Sequence, residues 1–466
     1  MSSQNPSPDL RENKMGVMPI GKLLFNMALP IVIAMLVQAL YNVVDSIYVS
    51  RISENAVTAL SLAFPIQNLL IGFAVGIGVG VNSMLSKALG QKDQKTADRV
   101  AGNGIFLVLI ATVLFVLFGI FGTRPYFSFQ SEVADTVEKG VVYTAICCIG
   151  SLGIFVEVLG ERLLQASGRT VYTMITQGIG AIVNIVLDPV FIFGFSPLGI
   201  PAMGIAGAAV ATVIGQWIAA ILAIFFNMKF NPDVHFSLNA LKPRKKIIGP
   251  VLSIGIPSII MNSIGSIMTL SMNQILQGLD PSETAAGVFG IYFKLQSFFF
   301  MPLFGINNAS ISILAYNYGA RKPQRITGTL KVSMVTMLII MLLGLAAFQF
   351  LPDLLLGIFQ PSESFLYMGR SALRIISFSF PMAAISIALI ASFQALGNGF
   401  YSTINSICRQ LLVLLPAAFL LSLTGNVNAV WWSFPIAEVV SVTVTVLLYL
   451  RIYRKKIRPL CTALPQ

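Results

Sequence analysis

Five of the eighteen acidic residues, Asp45, Glu157, Glu161, Asp188 and Glu438, stand inside long apolar stretches. A charge in hydrocarbon costs a few kcal/mol or more, so each is a candidate functional group. The most informative segment is Asn184-Ile185-Val186-Leu187-Asp188-Pro189. Asn184 precedes Asp188 by four residues, which puts both on one helix face where they can share a ligand. Pro189 removes a backbone donor and crowds the carbonyl of Ile185, leaving it to turn toward an ion or water. Asp45, in Tyr41-Asn42-Val43-Val44-Asp45-Ser46, falls at a similar depth. Two carboxylates with amide oxygens can bind Na⁺, or can hold one proton because repulsion and desolvation favour the neutral form. The plainer reading satisfies each acid separately with a hydroxyl or a lone Arg. Against it, no Arg or Lys lies at that depth in the first half of the chain.

Such residues need a membrane scaffold. The chain has 466 residues, 56% hydrophobic and 10% charged, with mean hydropathy +0.82. Soluble proteins carry roughly 25% charged residues, so the expected class is an all-α polytopic membrane protein. Apolar runs of about 20 residues cross the hydrocarbon. Twelve are expected, near 22–48, 56–86, 102–123, 139–166, 171–195, 204–228, 248–277, 285–316, 331–351, 368–396, 402–423 and 429–451. Lys and Arg concentrate in one set of connections and tails, among them Lys92, Lys95, Arg169, Lys245, Arg321 and Lys455. The positive-inside rule then places both termini in the cytoplasm of a prokaryotic plasma membrane. The same rule accounts for the net charge of +12 without nucleic acid.

The longest polar connection divides the chain into a tail at 1–21, a lobe at 22–228, a linker at 229–247, a lobe at 248–451 and a basic tail at 452–466. The halves echo each other. Pro30 matches Pro257, Gly90 matches Gly319, and Gln165-Ala166-Ser167-Gly168 matches Gln394-Ala395-Leu396-Gly397, at offsets of 227, 229 and 229 residues. Near-constant offsets mean an internal repeat. An even number of spans per copy gives a pseudo-two-fold axis along the membrane normal, with a cavity between two six-helix bundles. The run Gly72-Phe73-Ala74-Val75-Gly76-Ile77-Gly78-Val79-Gly80 has no preceding strand, so it reads as close helix packing and not a phosphate loop.

Other polar residues admit two readings. Glu161 and Arg162 fit snorkelling or a local pair as well as a gate, and Glu157 lies one turn deeper. Glu438 is either a functional acid or the partner of a second-half cation. Lys294, Arg370, Arg374 and Arg409 make that half basic, while span seven offers only Asn262, Ser266, Thr269 and Asn273. Gln38, Glu157, Glu161, Arg162, Asn273, Lys294, Arg374 and Glu438 are the candidate substrate or gating residues. Pro30, Pro189 and Pro257 are the candidate hinges. Phe298, Phe299, Phe300 and Met301 would suit an adaptable apolar cavity, although packing or lipid contact explains any one of them.

Several classes are excluded or weakened. His235 is the one histidine and the four cysteines are scattered, so neither a multi-histidine metal site nor a disulfide framework is expected. No nucleophile–base spacing supports an enzyme. Residues 1–21 are polar and the first apolar run is span-length, so no signal peptide is expected.

With these residues placed, the chain resembles the multidrug and toxic compound extrusion (MATE) family over essentially its whole length. The resemblance rests on the span pattern, the Asn-Val-Val-Asp-Ser segment ending at Ser46, Asn184…Asp188-Pro189 and the paired Gln-Ala turns. It implies a cation-coupled antiporter, without a cofactor, that expels amphipathic and often cationic compounds. In the branch closest to this pattern, the implied coupling residues are Asp45, Asn184, Asp188 and Thr212. The chain departs from another branch, which carries acids in spans seven and ten; here span seven has none and span ten has Arg374. A lipid-linked precursor flippase is the alternative of similar architecture, and the cations of the second half favour it. With both lobes in one chain, a monomer is expected.

Overall fold

The computed structural model describes residues 13–237, 239–280, 284–359 and 362–462. Helices account for nearly all of it, and among the described residues the one β pairing is an isolated bridge between Phe195 and Ile200. Spans one, two and three are Ile20–Ser50, Glu54–Gly90 and Gln94–Gln130, and spans five and six are Thr170–Phe193 and Ile205–Phe230. Spans seven, eight and nine are Lys245–Leu279, Thr284–Gly319 and Pro323–Phe350. Spans eleven and twelve are Gly399–Ser422 and Val427–Thr462. Spans four and ten are broken pairs, Ala134–Ile149 with Leu152–Ala166 and Glu363–Ser377 with Phe380–Ala395, each bent by 46°.

Several helices overrun the apolar runs that announce them. Polar residues extend the ends because caps satisfy the free amides: Ser53 accepts from the Ala56 amide at 3.2 Å, and Asp93 from that of Thr96 at 3.0 Å. Such caps are worth about 1 kcal/mol each. The Thr96 hydroxyl and amide also hold the Asp93 carboxyl below its usual range. Span ten bends where Pro381 withholds a donor at the start of its second helix. Span four bends beside Gly150.

The two halves meet along a seam whose contacts repeat about a pseudo-two-fold axis. A Cβ on Gly90 would overlap the carbonyl oxygen of Tyr316, and one on Gly319 would overlap that of Lys87. Further along, a Cβ on Gly76 would strike Ile259, and one on Gly305 would strike Val32. Gly76 and Gly305 are 229 residues apart, as are Gly90 and Gly319. In hydrocarbon, helices gain nothing from mutual hydrophobicity, so small residues that admit van der Waals contact are what joins them. Hydroxyls reinforce the seam: Ser83 donates to the Gln394 carbonyl at 2.8 Å, and Ser312 to the Asn82 amide oxygen at 2.9 Å. The Gly90 and Gly319 contacts lie at the end of the bundle where span one begins and span twelve ends.

The connection between the halves is docked against span three. The buried side chain of Asn103 donates to the carbonyls of Ala240 and Lys242 and accepts from the Arg244 amide at 2.8 Å. Replacing Gly90 or Gly319 with Ala should therefore cost about 1–3 kcal/mol each by overpacking the seam. Gly249, with nothing within 4 Å of its ideal Cβ, should tolerate Ala. Thermal unfolding in detergent is the measurement, and equal midpoints for all three variants would refute the seam as the tight contact.

Candidate functional site

Span five carries a polar stripe, Thr173, Thr176, Gln177, Gly180, Asn184 and Asp188, at helical spacing. Asn184 Nδ2 donates to Asp188 Oδ1 at 3.3 Å and lies 3.2 Å from Thr212 Oγ1 on span six. The structure thus brings together three of the four residues proposed for cation coupling. Asp45, on span one, is buried at 9% exposure. Asp45 Oδ1, Asp188 Oδ2 and Asn184 Oδ1 are buried without a hydrogen-bond partner. Buried polar atoms are nearly always satisfied, and these three oxygens, on the packed spans one and five, offer a donor set to a ligand. An all-oxygen donor set suits a proton or a hard cation such as Na⁺.

A cavity of about 480 Å³ separates the halves. Asn184 and Thr212 line it, together with Gln38 and Tyr41 of span one; Asp45 and Asp188 lie outside its lining. The acids that face it are Glu157 and Glu161. Glu161 accepts from Thr176 Oγ1 at 2.9 Å and Gln177 Nε2 at 3.1 Å. Arg162, also on the wall, donates to Gln165 Oε1 at 2.9 Å. Glu161 and Arg162 therefore form no direct pair, because each finds neutral partners. A Cβ on Gly78 would come within 2.7 Å of Arg162 Cγ, so that glycine makes room for the arginine. Glu157 faces the cavity half-buried and has no hydrogen bond among the described residues.

The second half supplies neutral polar groups to the same cavity: Ser258, Asn262, Asn307, Asn308 and Gln394, beside Met261 and Phe304. Its charged residues lie elsewhere. Arg409 pairs with Glu438 at 2.5 Å, from a π-helical stretch Ile407–Leu414, so Glu438 is the partner of a cation. Arg370 pairs with Asp353. Lys294 and Arg374 are exposed, Asn273 is half-buried, and none of the three lines the cavity. Phe298 is exposed and the adjacent aromatics pack into the second half's core, so the adaptable cavity wall expected of Phe298–Met301 falls instead to Phe304 and the methionines Met35 and Met261. Pro30, Pro189 and Pro257 all lie within continuous helices, and the sharp bends occur in spans four and ten.

Gln177, Thr176, Asn307 and Asn308 escape a reading that looks for charges. The first two were accessible through the polar periodicity of span five. The other two come from a span whose polar residues do not stand out against the rest.

The MatE family model matches residues 30–190 and 257–420, one stretch in each half. The chain belongs to the MATE family. The chain is 24% identical over 420 residues to the multidrug export protein MepA of Staphylococcus saprophyticus, covering 90% of this chain and 91% of that protein. MepA of Staphylococcus aureus is 24% identical over 421 residues, again covering 90% and 91%. Among solved structures, MATE in complex with MaL6 superposes with a TM-score of 0.88 at 25% identity, covering 97% of this chain and 100% of that one. A MOP superfamily transporter from Pyrococcus furiosus, described as having a binding pocket of reverse polarity, gives 0.87 at 25% identity, covering 97% and 98%. This MATE transporter is therefore a multi-pass membrane protein whose polar cavity sits between repeat-related halves.

The two layers of the site, wall and buried acids, predict different access. In a background without native cysteines, Gln38→Cys and Gln177→Cys should react with a small water-soluble thiol reagent. Asp188→Cys should react about tenfold more slowly or worse, because a thiol's reactivity follows its exposure. Equal rates measured by mass spectrometry would overturn the layered arrangement.

Proposed function

We propose that this MATE transporter exports amphipathic organic compounds, cationic ones in particular, in exchange for H⁺ or Na⁺. The observation that carries the coupling half of this reading is the set of unsatisfied oxygens on Asp45, Asp188 and Asn184. Ion and drug sites are separate but linked. A monovalent ion entering at the two aspartates cancels one negative charge of the pair, and Asn184 connects Asp188 to Thr212 and to the cavity wall. A ligand shifts a conformational equilibrium by its differential affinity for the two states. The ion therefore drives the exchange if it binds more tightly to one of them. Exchange further requires that the ion weaken drug binding in that state, and reciprocity then makes the drug weaken ion binding equally.

Recognition of the exported compound rests on Glu157, the cavity carboxylate with no competing partner, and on the apolar wall around it. Export agrees with the multidrug export role for which the MepA relatives are named. A flippase for lipid-linked phosphates would need cations on the cavity wall. Among the described residues, Arg162 is the one cation there, and its guanidinium is engaged by Gln165. With both termini cytoplasmic, as the charge distribution implies, the tight seam faces the cytoplasm.

Efflux from proteoliposomes, with a pH gradient and a Na⁺ gradient imposed separately, is the direct test. One gradient alone should drive ethidium transport. Asp45→Asn and Asp188→Asn should each abolish gradient-driven transport while leaving folded protein in the membrane; full activity in both would sink the coupling role. Glu157→Gln should leave the response to the gradient intact and raise the KM for a cationic substrate by about tenfold, the worth of one ion pair of some 1.4 kcal/mol. A neutral substrate should be unaffected, and an equal loss for both kinds would remove Glu157 from cation recognition.

A further inference from the structure

At the end of the bundle where span one begins, a short helix, Lys14–Val17, lies across the seam. Its Met15 side chain is fully buried. The Met15 carbonyl accepts from Asn317 Nδ2 at 3.0 Å and from Arg325 Nη2 at 3.0 Å. Arg325 Nη2 also reaches the Met18 carbonyl at 2.7 Å, and its Nε donates to Asn317 Oδ1 at 3.1 Å. Lys322 Nζ donates to the Gly16 carbonyl at 3.0 Å. The three donors come from the last turn of span eight, the connection after it and the first turn of span nine, all in the second half. Toward the first half, Asn13 Nδ2 donates to the Ser167 carbonyl at 3.1 Å, and it lies 3.5 Å from Asp233 Oδ2, which Arg169 pairs at 3.2 Å. Six residues are thus fastened to both halves at once.

The bonds to the second half are of a strong kind. The last carbonyls of a helix lack intrahelical partners and carry partial negative charge, and here two cations meet them. Covalent continuity decides which bonds can break. Met18 leads through Pro19 directly into span one, so residues 13–18 move with the first half. Any separation of the halves at this end must release Asn317, Lys322 and Arg325.

We propose that residues 13–18 are a latch that holds this end of the cavity closed, with Arg325 as its positioning residue. The idea rests on the alternating-access reading above, but the spacing of the halves can be measured whatever solute or ion is carried. Full-length protein without native cysteines would carry spin labels at Lys95→Cys and Gln324→Cys, exposed positions on opposite halves at this end. Double electron–electron resonance should show one dominant short distance in the parent. Arg325→Ala should raise the ratio of separated to closed protein by about tenfold, the scale set by losing a charged hydrogen bond. Arg325→Lys should lie between. In unlabelled protein, Met15→Cys with Asn317→Cys, joined by a short thiol cross-linker with a cleavable disulfide, should stop efflux, and reduction should restore it. A folded Arg325→Ala variant with an unchanged distance distribution would overturn the latch, as would a cross-linked protein that transports at full rate. Should Arg325→Ala not fold, Lys322→Ala and the cross-link decide the matter. Unlatching without any effect on efflux would fault the alternating-access reading alone.

Discussion

A carboxylate inside a membrane protein must be neutral, paired or bound to a cation, and the five acids of the spans meet that demand in different ways. Glu438 takes a direct ion pair with Arg409. Glu161 accepts from a threonine and a glutamine of the neighbouring span. Glu157 stands at the wall of the cavity. Asp45 and Asp188 each keep an oxygen with no partner in the protein. Asp45 and Asp188 leave the demand open away from the cavity wall, and an open demand is what a transported ion can fill. Asn184 faces the cavity and touches Asp188, so it connects that buried acid to the cavity wall.

The same physics explains why a repeated scaffold carries an unrepeated site. Backbone contact through small residues joins the halves, so both copies need their glycines at equivalent positions, and Gly76, Gly90, Gly305 and Gly319 hold them. Nothing in that packing demands a second copy of the acids. In the second half, Leu415 stands before Pro416, where the repeat would place a counterpart of Asp188 before Pro189. The second half gives the cavity amides, a hydroxyl and apolar surface, and keeps its charges in pairs or outside the cavity. The basic character of that half in sequence is therefore absent from the cavity wall.

The spans, their number, the repeat and the acids of the first half could all be read from the chain because each leaves a local signature: length of an apolar run, constancy of an offset, a charge where none belongs. Two kinds of feature stayed hidden. Helix ends ran past their apolar runs because capping, not hydropathy, decides where a helix stops, as Asp93 illustrates. Glu438 and Arg409 are 29 residues apart on adjoining spans, and no local pattern says whether they meet.

By itself, the sequence determined the class of protein, the twelve-span plan and the presence of an Asn184–Asp188 face, since hydrocarbon thickness and helical period act on neighbouring residues. Tertiary structure decided which polar groups share one space. It set Asp45 and Asp188 behind the wall and Glu157 on it, sent Glu438 to Arg409, and laid residues 13–18 across the seam. Those outcomes depend on how twelve helices turn about their axes. Packing contacts between distant residues set those rotations, and no stretch of chain carries them alone.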